Sequence, residues 1–324
     1  MINLDGGEIE GLEERLIPVL RRRNIEVESI NLVGLLGRGA SSSVFSVLID
    51  QKYHVLKLYY SHTSFLKEMR NRRRLIWPPK ILLSSKQNEN SLGYDLVITV
   101  VPEGVSFNSS HLLYWVQMRL AEHLIELHRL RRKKMVSITA LRKSLEDVEY
   151  GAQKAAYDYG DGQYEVVTGI IEETKQYLKS SSATLRVSGS LLHNDLWWDN
   201  IIIAKDDVYL VDWESMRVGD YAEDLAFMRV MIDFKPAYDS KRIFWKTARD
   251  ETVANRFFAN IIEMYEHAFE DETLDERLRF YLVLQSLRRL SDMSSGTYHY
   301  NRELVGIWLR QLPDFWKHGM IKPE

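Results

Sequence analysis

The segment that most constrains the fold of this 324-residue chain spans residues 193–212 and reads HNDLWWDNIIIAKDDVYLVD. Asp195 stands two residues after His193, and Asn200 follows five residues later. Two short apolar runs, separated by a polar turn, then lead to Asp212. This pattern predicts a β-hairpin with oxygen-bearing side chains gathered at its ends.

These side chains suit phosphoryl transfer. One carboxylate, Asp195, can orient a hydroxyl group and accept its proton. Asn200 and Asp212 supply the hard oxygen atoms that bind magnesium on the phosphates of ATP. In a purely structural interpretation, Asp195 and Asn200 cap turns and Asp212 ends a strand. The spacing together with the hairpin favours the catalytic interpretation.

Composition limits the class of protein. Hydrophobic residues make up 45% of the chain and charged residues 27%, which is typical of a soluble globular protein. A formal net charge of −3 gives no reason to expect nucleic acid or a membrane surface as a partner. The chain has no cysteine, which excludes disulfides and thiolate catalysis. With no apolar run near the roughly 20 residues of a membrane span, we expect a cytoplasmic protein; the oligomeric state stays open.

Short β-type runs dominate the N-terminal third of the chain. They lie at residues 30–36, 43–49, 53–60, 80–85 and 94–101. A charged helical pattern at residues 64–75 is inserted after the third run, and residues 102–106 break the pattern. The remainder has mostly helical periodicity. Residues 139–160 are polar and loosely patterned, which predicts an insertion.

A glycine- and serine-rich segment, residues 36–45, joins the first two β-type runs. Gly37 and Gly39 would let the backbone pack against phosphate oxygens, and Ser41 and Ser42 would supply donors. A tight hairpin turn explains the same segment equally well.

Lys57 lies in the third β-type run between apolar residues. A buried lysine requires an anionic partner, and either phosphate oxygens or Glu68 in the charged helix can supply one. Alternatively, Lys57 lies on the polar face of an edge strand, and Glu68 pairs with neighbouring arginines on the helix surface. The order of the segments favours Lys57 as an ATP ligand.

In this order the segments resemble the aminoglycoside phosphotransferase and choline kinase superfamily, which contains small-molecule kinases with a protein-kinase-like fold. H-x-D-x-x-x-x-N, followed by a strand that ends in D-W-E, carries the resemblance. Residues 219–226, GDYAEDLA, resemble the G-D-P-x-x-D-L-A of the aminoglycoside-phosphotransferase branch, to which the chain is closer. Asn194 instead resembles the H-N-D of choline and ethanolamine kinases.

The resemblance implies an α+β fold with two lobes. Residues 1–101 would form an N-lobe with a five-stranded antiparallel sheet and one inserted helix. Residues 102–106 would be a hinge, and residues 107–324 a mostly helical C-lobe carrying the catalytic hairpin, residues 193–214.

The resemblance also implies roles for particular residues. Asp195 would be the catalytic base, and His193 and Asp224 would support the catalytic loop. ATP would bind Gly37, Gly39, Ser41, Ser42, Lys57, Glu68, Val100 and Val101, and Mg²⁺ would bind Asn200 and Asp212.

The predicted function is ATP- and magnesium-dependent phosphorylation of a hydroxyl on a small polar molecule: an aminoglycoside-like compound, a sugar or an amino alcohol. The alternatives are a choline- or ethanolamine-type kinase and a kinase-like nucleotide-binding regulator without turnover. The acidic stretch at residues 263–276 would attract a cationic acceptor, or it is a solvated helix end. Arg288 and Arg289 could instead hold an anionic acceptor.

Overall fold

The computed structural model describes residues 11–38, 41–75, 80–90, 92–100, 104–107, 111, 113–130, 135–181, 184–185, 187–238, 248–294 and 302–318. The chain divides into two compact units. The sheet unit consists of Met1–Ser106 and Ile202–Ser215. The helical unit consists of Phe107–Ile201 and Met216–Glu324.

An antiparallel sheet forms the centre of the sheet unit. Its strands are β1 (Ile30–Arg38), β2 (Ser42–Ile49), β3 (Lys52–Tyr59), β4 (Ile81–Ser85) and β5 (Asp95–Val100), in the order β1-β2-β3-β5-β4. Burial alternates along β2, as expected for a strand with one face on a core. Asp50 and Gln51 join β2 to β3 with φ angles of 47° and 66°, the left-handed conformation that a tight hairpin turn requires.

Two helices accompany this sheet. Helix α1 (Leu12–Arg21) runs through Pro18 without interruption and buries Leu12, Leu16, Val19 and Leu20 in the same core as β1 to β3. Helix α2 (His62–Arg72) is inserted between β3 and β4, and the side chain of Ser61 caps its first turn.

The hairpin within residues 193–214, predicted to be catalytic, contributes its strands to a second, smaller sheet. Strand β6 (Gly104–Ser106) pairs with one strand of the hairpin, β8 (Ile201–Ala204), and β8 lies beside β9 (Val208–Leu210). The described part of the predicted hinge is therefore a strand. A Cβ on Gly104 would lie 2.6 Å from the carbonyl oxygen of Ile203, so the close pairing requires glycine there.

Most of the helical unit is built from long helices. They are α3 (Tyr114–Arg129), α4 (Ile138–Tyr159), α5 (Gln163–Ser180), α6 (Tyr221–Tyr238), α7 (Ala248–Phe269), α8 (Leu274–Ser294) and α9 (Arg302–His318). Two short strands, β7 (Ser190–Leu192) and β10 (Arg217–Gly219), pair antiparallel within this unit. Helix α8 is central, since it buries side chains around most of its circumference. None of the helices within the described ranges combines the length and apolar character of a membrane-spanning segment.

The stretch predicted as an insertion, residues 139–160, lies almost entirely in helix α4. This helix packs closely on α8, because a Cβ on Gly151 would lie 2.9 Å from the backbone of Ser291. Its buried face also contains the small residues Ala152, Ala155 and Ala156. The predicted α+β class is confirmed, with its five-stranded antiparallel sheet, one inserted helix and mostly helical second part.

Candidate active site

Strand β3 and helix α2 bring together the first set of predicted site residues. The Lys57 Nζ atom lies 2.9 Å from Glu68 Oε2 and 2.8 Å from Asp212 Oδ1. Glu68 also accepts hydrogen bonds from Arg72 Nε at 2.9 Å and from the Tyr59 hydroxyl at 2.5 Å. Lys57, Glu68, Arg72 and Asp212 are called the lysine cluster below.

The charges of the lysine cluster stabilise one another. Burial lowers the pKa of Lys57, but the negative charges of Glu68 and Asp212 raise it by more, so the net pKa lies above its ordinary value. Burial raises the pKa of Glu68, but Lys57 and Arg72 outweigh it and hold the pKa below its usual range. The Asp212 side chain is 32% exposed and that of Glu68 only 1%. Asp212 is therefore the carboxylate of this cluster that a ligand can reach.

The glycine- and serine-rich segment forms the ends of β1 and β2. Gly37 pairs with Val44 in these strands, and Ser42 lies buried in β2. The Ser41 hydroxyl donates to Glu214 Oε2 at 2.8 Å. Gly39 lies outside the described residues. The predicted contacts of this segment with ATP stay predictions.

At the end of β5, the N–H of Val100 donates to the carbonyl oxygen of Lys80 at 2.8 Å. The N–H group of Val100 is therefore already hydrogen-bonded within the protein, and it cannot also donate to adenine while this bond is formed. Val101, the other residue predicted to bind adenine, lies outside the described residues.

Asp224, in helix α6, accepts hydrogen bonds from the loop at residues 193–200, which is predicted to be the catalytic loop. Its carboxylate receives the backbone N–H groups of His193 at 2.7 Å and Asn194 at 2.8 Å. His128 Nε2 lies 3.1 Å from the same carboxylate, and His128 Nδ1 lies 2.6 Å from the Tyr265 hydroxyl. Although burial raises the pKa of Asp224, His128, His193 and the N–H of Asn194 lower it more, so the net pKa lies below its ordinary value.

A second set of contacts lies within the loop at residues 193–200 itself. Asn200 Nδ2 donates to the backbone oxygen of Asp195 at 2.8 Å and to Asp195 Oδ2 at 3.1 Å. The Trp197 ring packs edge-on against Phe227, with ring centroids 6.3 Å apart. The amide nitrogen of Asn200 thus fixes the loop, and the amide oxygen is the atom that it can offer to a ligand.

The structure thus assembles the predicted residues in two places. The sheet unit joins Lys57, Glu68 and Asp212, and the helical unit joins His193, Asp195, Asn200 and Asp224. Sequence reasoning missed the hydroxyl of Tyr59, although Tyr59 lies two residues from Lys57 and so on the same face of β3. Among the described residues, no group of three or more His, Asp or Glu side chains could hold a metal ion.

The acidic stretch at residues 263–276 has two parts. Glu263, Glu266 and Glu270 are exposed. Asp271 instead accepts a hydrogen bond from the N–H of Thr273 and pairs with Arg277, a fully buried residue. Arg277 also binds both carboxylate oxygens of Asp220, at 2.9 and 3.1 Å. Asp220, Asp271 and Arg277 are called the arginine cluster below.

Comparison with known proteins identifies the family. Residues 79–281, more than half of the chain, match the family model described as "Phosphotransferase enzyme family". The chain belongs to this phosphotransferase family. The predicted superfamily and the prediction of a phosphotransferase enzyme are thereby confirmed.

Solved structures confirm the kinase-like fold. A choline kinase from Cryptosporidium parvum superposes with a TM-score of 0.67 at 12% identity, covering 95% of this chain and 98% of that one. A thermostable mutant of aminoglycoside phosphotransferase APH(4)-Ia, in complex with AMP-PNP and hygromycin B, gives a TM-score of 0.63 at 15% identity, covering 95% of this chain and 99% of that one. Choline kinase LicA from Streptococcus pneumoniae gives 0.56 at 16% identity, covering 93% and 99%. A search of curated proteins gives no match.

Proposed function

We propose that this phosphotransferase moves the γ-phosphoryl group of ATP, with magnesium, to a hydroxyl of a small polar molecule. The observation that carries the proposal is the position of Lys57 between Glu68 and Asp212, at 2.9 and 2.8 Å. Lys57 is buried and charged, and Glu68 holds its ammonium group in place. A fixed cation of this kind is suited to binding phosphate oxygens.

Each of the two residues that we propose as magnesium ligands offers an oxygen atom that suits this ion. Asp212 supplies a partly exposed carboxylate, and Asn200 directs its amide nitrogen to Asp195, which leaves oxygen as its ligand atom. Magnesium commonly uses one or two protein oxygens together with water and phosphate oxygens. When bound, it would neutralise charge on the phosphates.

Asp195 is the residue that we assign to the acceptor. Its carboxylate would orient the hydroxyl of the acceptor and accept its proton, a role that requires no large pKa shift when the transition state is loose. The hydrogen bonds from His193 and Asn194 to Asp224 hold this loop in one conformation. A loop with a fixed backbone keeps the Asp195 side chain ready for this role.

The similar structures support the proposal. One is a complex with AMP-PNP, an ATP analogue, and hygromycin B, and others are named as choline kinases. Asn194 favours a second candidate, a choline- or ethanolamine-type kinase, since H-N-D is typical of those enzymes. Measuring ATP consumption across aminoglycosides, sugars, amino alcohols and nucleosides separates the candidates. If no acceptor is phosphorylated although ATP binds, a nucleotide-binding regulator is the remaining candidate.

The role of Asp195 is tested by Asp195→Ala. Turnover should fall about 10²–10⁴-fold, because the hydroxyl loses its proton acceptor, while ATP affinity, measured by calorimetry, should stay within a few-fold. Asp206→Ala is the control, since Asp206 is exposed in the turn of the same hairpin. Turnover of Asp195→Ala within tenfold of wild type would exclude Asp195 as the base.

A further inference from the structure

A cavity of about 440 Å³ lies in the helical unit, beside the catalytic loop. Its lining includes Asn194, the residue that directly precedes Asp195, and the charged side chains of Arg217, Glu223 and Arg288. These charged residues come from β10, α6 and α8. The cavity therefore adjoins the loop to which we assign the acceptor, and the charges in its wall bear on which acceptor it takes.

The carboxylates in this wall are already bound. Glu223 is buried, and it accepts from Arg288 Nη1 at 2.7 Å and from Arg217 Nη2 at 2.5 Å. Asp220, which also lines the cavity, has both carboxylate oxygens on the guanidinium of Arg277. Because the side chains of Glu223 and Asp220 are only 4% and 0% exposed and are paired with arginines, neither offers an unpaired negative charge to an ammonium group in the cavity.

Arg217 and Arg288, in contrast, have N–H donors that their contacts with Glu223 and Asn194 do not use. A guanidinium carries five N–H donors. Arg288 uses Nη1 for Glu223, while Arg217 uses Nε for Asn194 Oδ1 and Nη2 for Glu223. The side chains of Arg217 and Arg288 are 39% and 24% exposed, so their remaining donors can reach a ligand.

Two further features of the wall favour an oxygen-rich, negatively charged group. Residues in the first turn of α4, including Ala140 and Leu141, line the cavity, and the N-terminus of a helix favours negative charge. The Tyr281 hydroxyl is buried in the same wall, where it has no hydrogen-bond partner among the described residues. It can donate to a ligand oxygen.

We propose that this cavity receives the acceptor and that Arg217 and Arg288 bind a carboxylate or phosphate group that the acceptor carries. The acceptor is then a hydroxy acid or a sugar phosphate, and not a polyamine or a choline-like cation. The assignment of the bound molecule as acceptor rests on the proposed function. The selection for an anion rests on the cavity alone.

A matched set of compounds tests the charge preference: gluconate, glucose 6-phosphate, glucose and glucosamine. Binding is measured by calorimetry and thermal shift at constant ionic strength, and turnover by ATP consumption. One of the two anions should bind and be phosphorylated more efficiently than glucose, and glucosamine should be the poorest. The better anion shows whether the group is a carboxylate or a phosphate. Equal or stronger binding of glucosamine would overturn the proposal.

Two variants of the cavity should change the binding of the preferred anion in opposite directions. Arg288→Gln should weaken it about tenfold, because a charge-assisted hydrogen bond is lost. Glu223→Gln should strengthen it, because both arginines are released from their carboxylate. If the contacts between Arg217, Glu223 and Arg288 only stabilised the fold, both variants would bind the anion more weakly.

Arg279→Gln is the control, because Arg279 lies on the same helix but is exposed. If Arg288→Gln does not fold, Arg288→Lys should show a smaller loss of the same kind. Anion binding that matches between the Arg279 and Arg288 variants would overturn the proposal. Arg288-dependent binding without turnover of any compound would leave the anion site standing and would remove the proposed function.

Discussion

The lysine cluster and the arginine cluster contain similar groups but differ in access to solvent. In the arginine cluster, the side chains of Asp220 and Arg277 are both 0% exposed. In the lysine cluster, Glu68 is almost as buried, but the side chain of Asp212 is 32% exposed. The Asp220–Arg277 pair is thus closed to solvent, and Asp271 beside it is 18% exposed, whereas in the lysine cluster one of the two carboxylates that contact Lys57 is 32% exposed.

This difference separates a structural ion pair from one that can exchange partners. A closed pair must stay formed, because breaking it leaves an uncompensated charge in a medium of low polarity. If Lys57 binds a phosphate group as proposed, it exchanges Asp212 for that group and still keeps Glu68 as a buried partner. Solvent access to Asp212 thus distinguishes the lysine cluster, a candidate ligand site, from the Asp220–Arg277 pair, which stabilises the fold.

The largest expected effect is on stability in the arginine cluster. Arg277→Met should lower the free energy of unfolding by about 3–5 kcal/mol, because Asp220 loses its buried partner. Lys57→Met should cost about 1–2 kcal/mol, because Glu68 keeps hydrogen bonds from Arg72 and Tyr59. Urea unfolding measures both values.

A double variant is the control for the arginine cluster. Arg277→Met with Asp220→Leu should recover much of the loss, since no unpaired charge at position 220 then remains. Equal costs for the Lys57 and Arg277 single variants would show that access does not separate the two clusters.

The next effect concerns ligand binding. Asp212→Asn should lose most of the stabilisation that magnesium adds to ATP in a thermal-shift titration, because a charged oxygen ligand is removed. Asp271→Asn, in the arginine cluster, should keep that stabilisation although it lowers the melting temperature. A full magnesium effect in Asp212→Asn would show that Asp212 is not a ligand.

The smallest effect is on the pH dependence of stability, to which Asp220 and Glu68 should contribute with opposite signs. Burial raises the pKa of Asp220 to about 6, although Arg277 and the N–H of Ala222 lower it. The folded protein then binds this proton more tightly than the unfolded chain, where the ordinary value is 3.8. Its contribution to the free energy of unfolding is therefore present below about pH 4 and is lost as the pH rises through about 6.

Glu68 should act in the other direction. Its pKa is held below its ordinary value of 4.5, so its contribution is present above that pH and is lost on acidification. Urea unfolding in steps between about pH 4 and 6.5 tests both groups. Asp220→Asn should remove the decline towards pH 6, and an unchanged slope in this variant would contradict the raised pKa.

Much of the sheet unit was predictable, because its signals are local. The β-type run predicted at residues 43–49 corresponds to strand β2 at Ser42–Ile49. The helix predicted at residues 64–75 corresponds to α2 at His62–Arg72. Strand β6 was not predicted, because three residues pair with β8 nearly a hundred residues later. Nor was helix α4, because the second half of its buried face consists of Gly151, Ala152, Ala155 and Ala156, which give little contrast in hydrophobicity.

Within the candidate site, too, contacts between residues close in the sequence were predictable, and contacts between distant residues were not. The spacing between Lys57 and Glu68 is a strand-to-helix relation that the sequence displays. The contact between Arg217, Glu223 and Arg288 is not visible there, because each residue comes from a different element. Only packing of β10, α6 and α8 brings these charges together.

The carboxylate of Asp224 has a consequence for motion. Asp224 lies in α6, and its carboxylate accepts hydrogen bonds from the backbone of the loop at residues 193–200 and contacts His128 of α3. The N–H groups of His193 and Asn194 can therefore exchange with deuterated water only when this junction of three segments separates. We expect them to exchange as slowly as amides of the helical core, so that the loop opens only together with the helices that hold it.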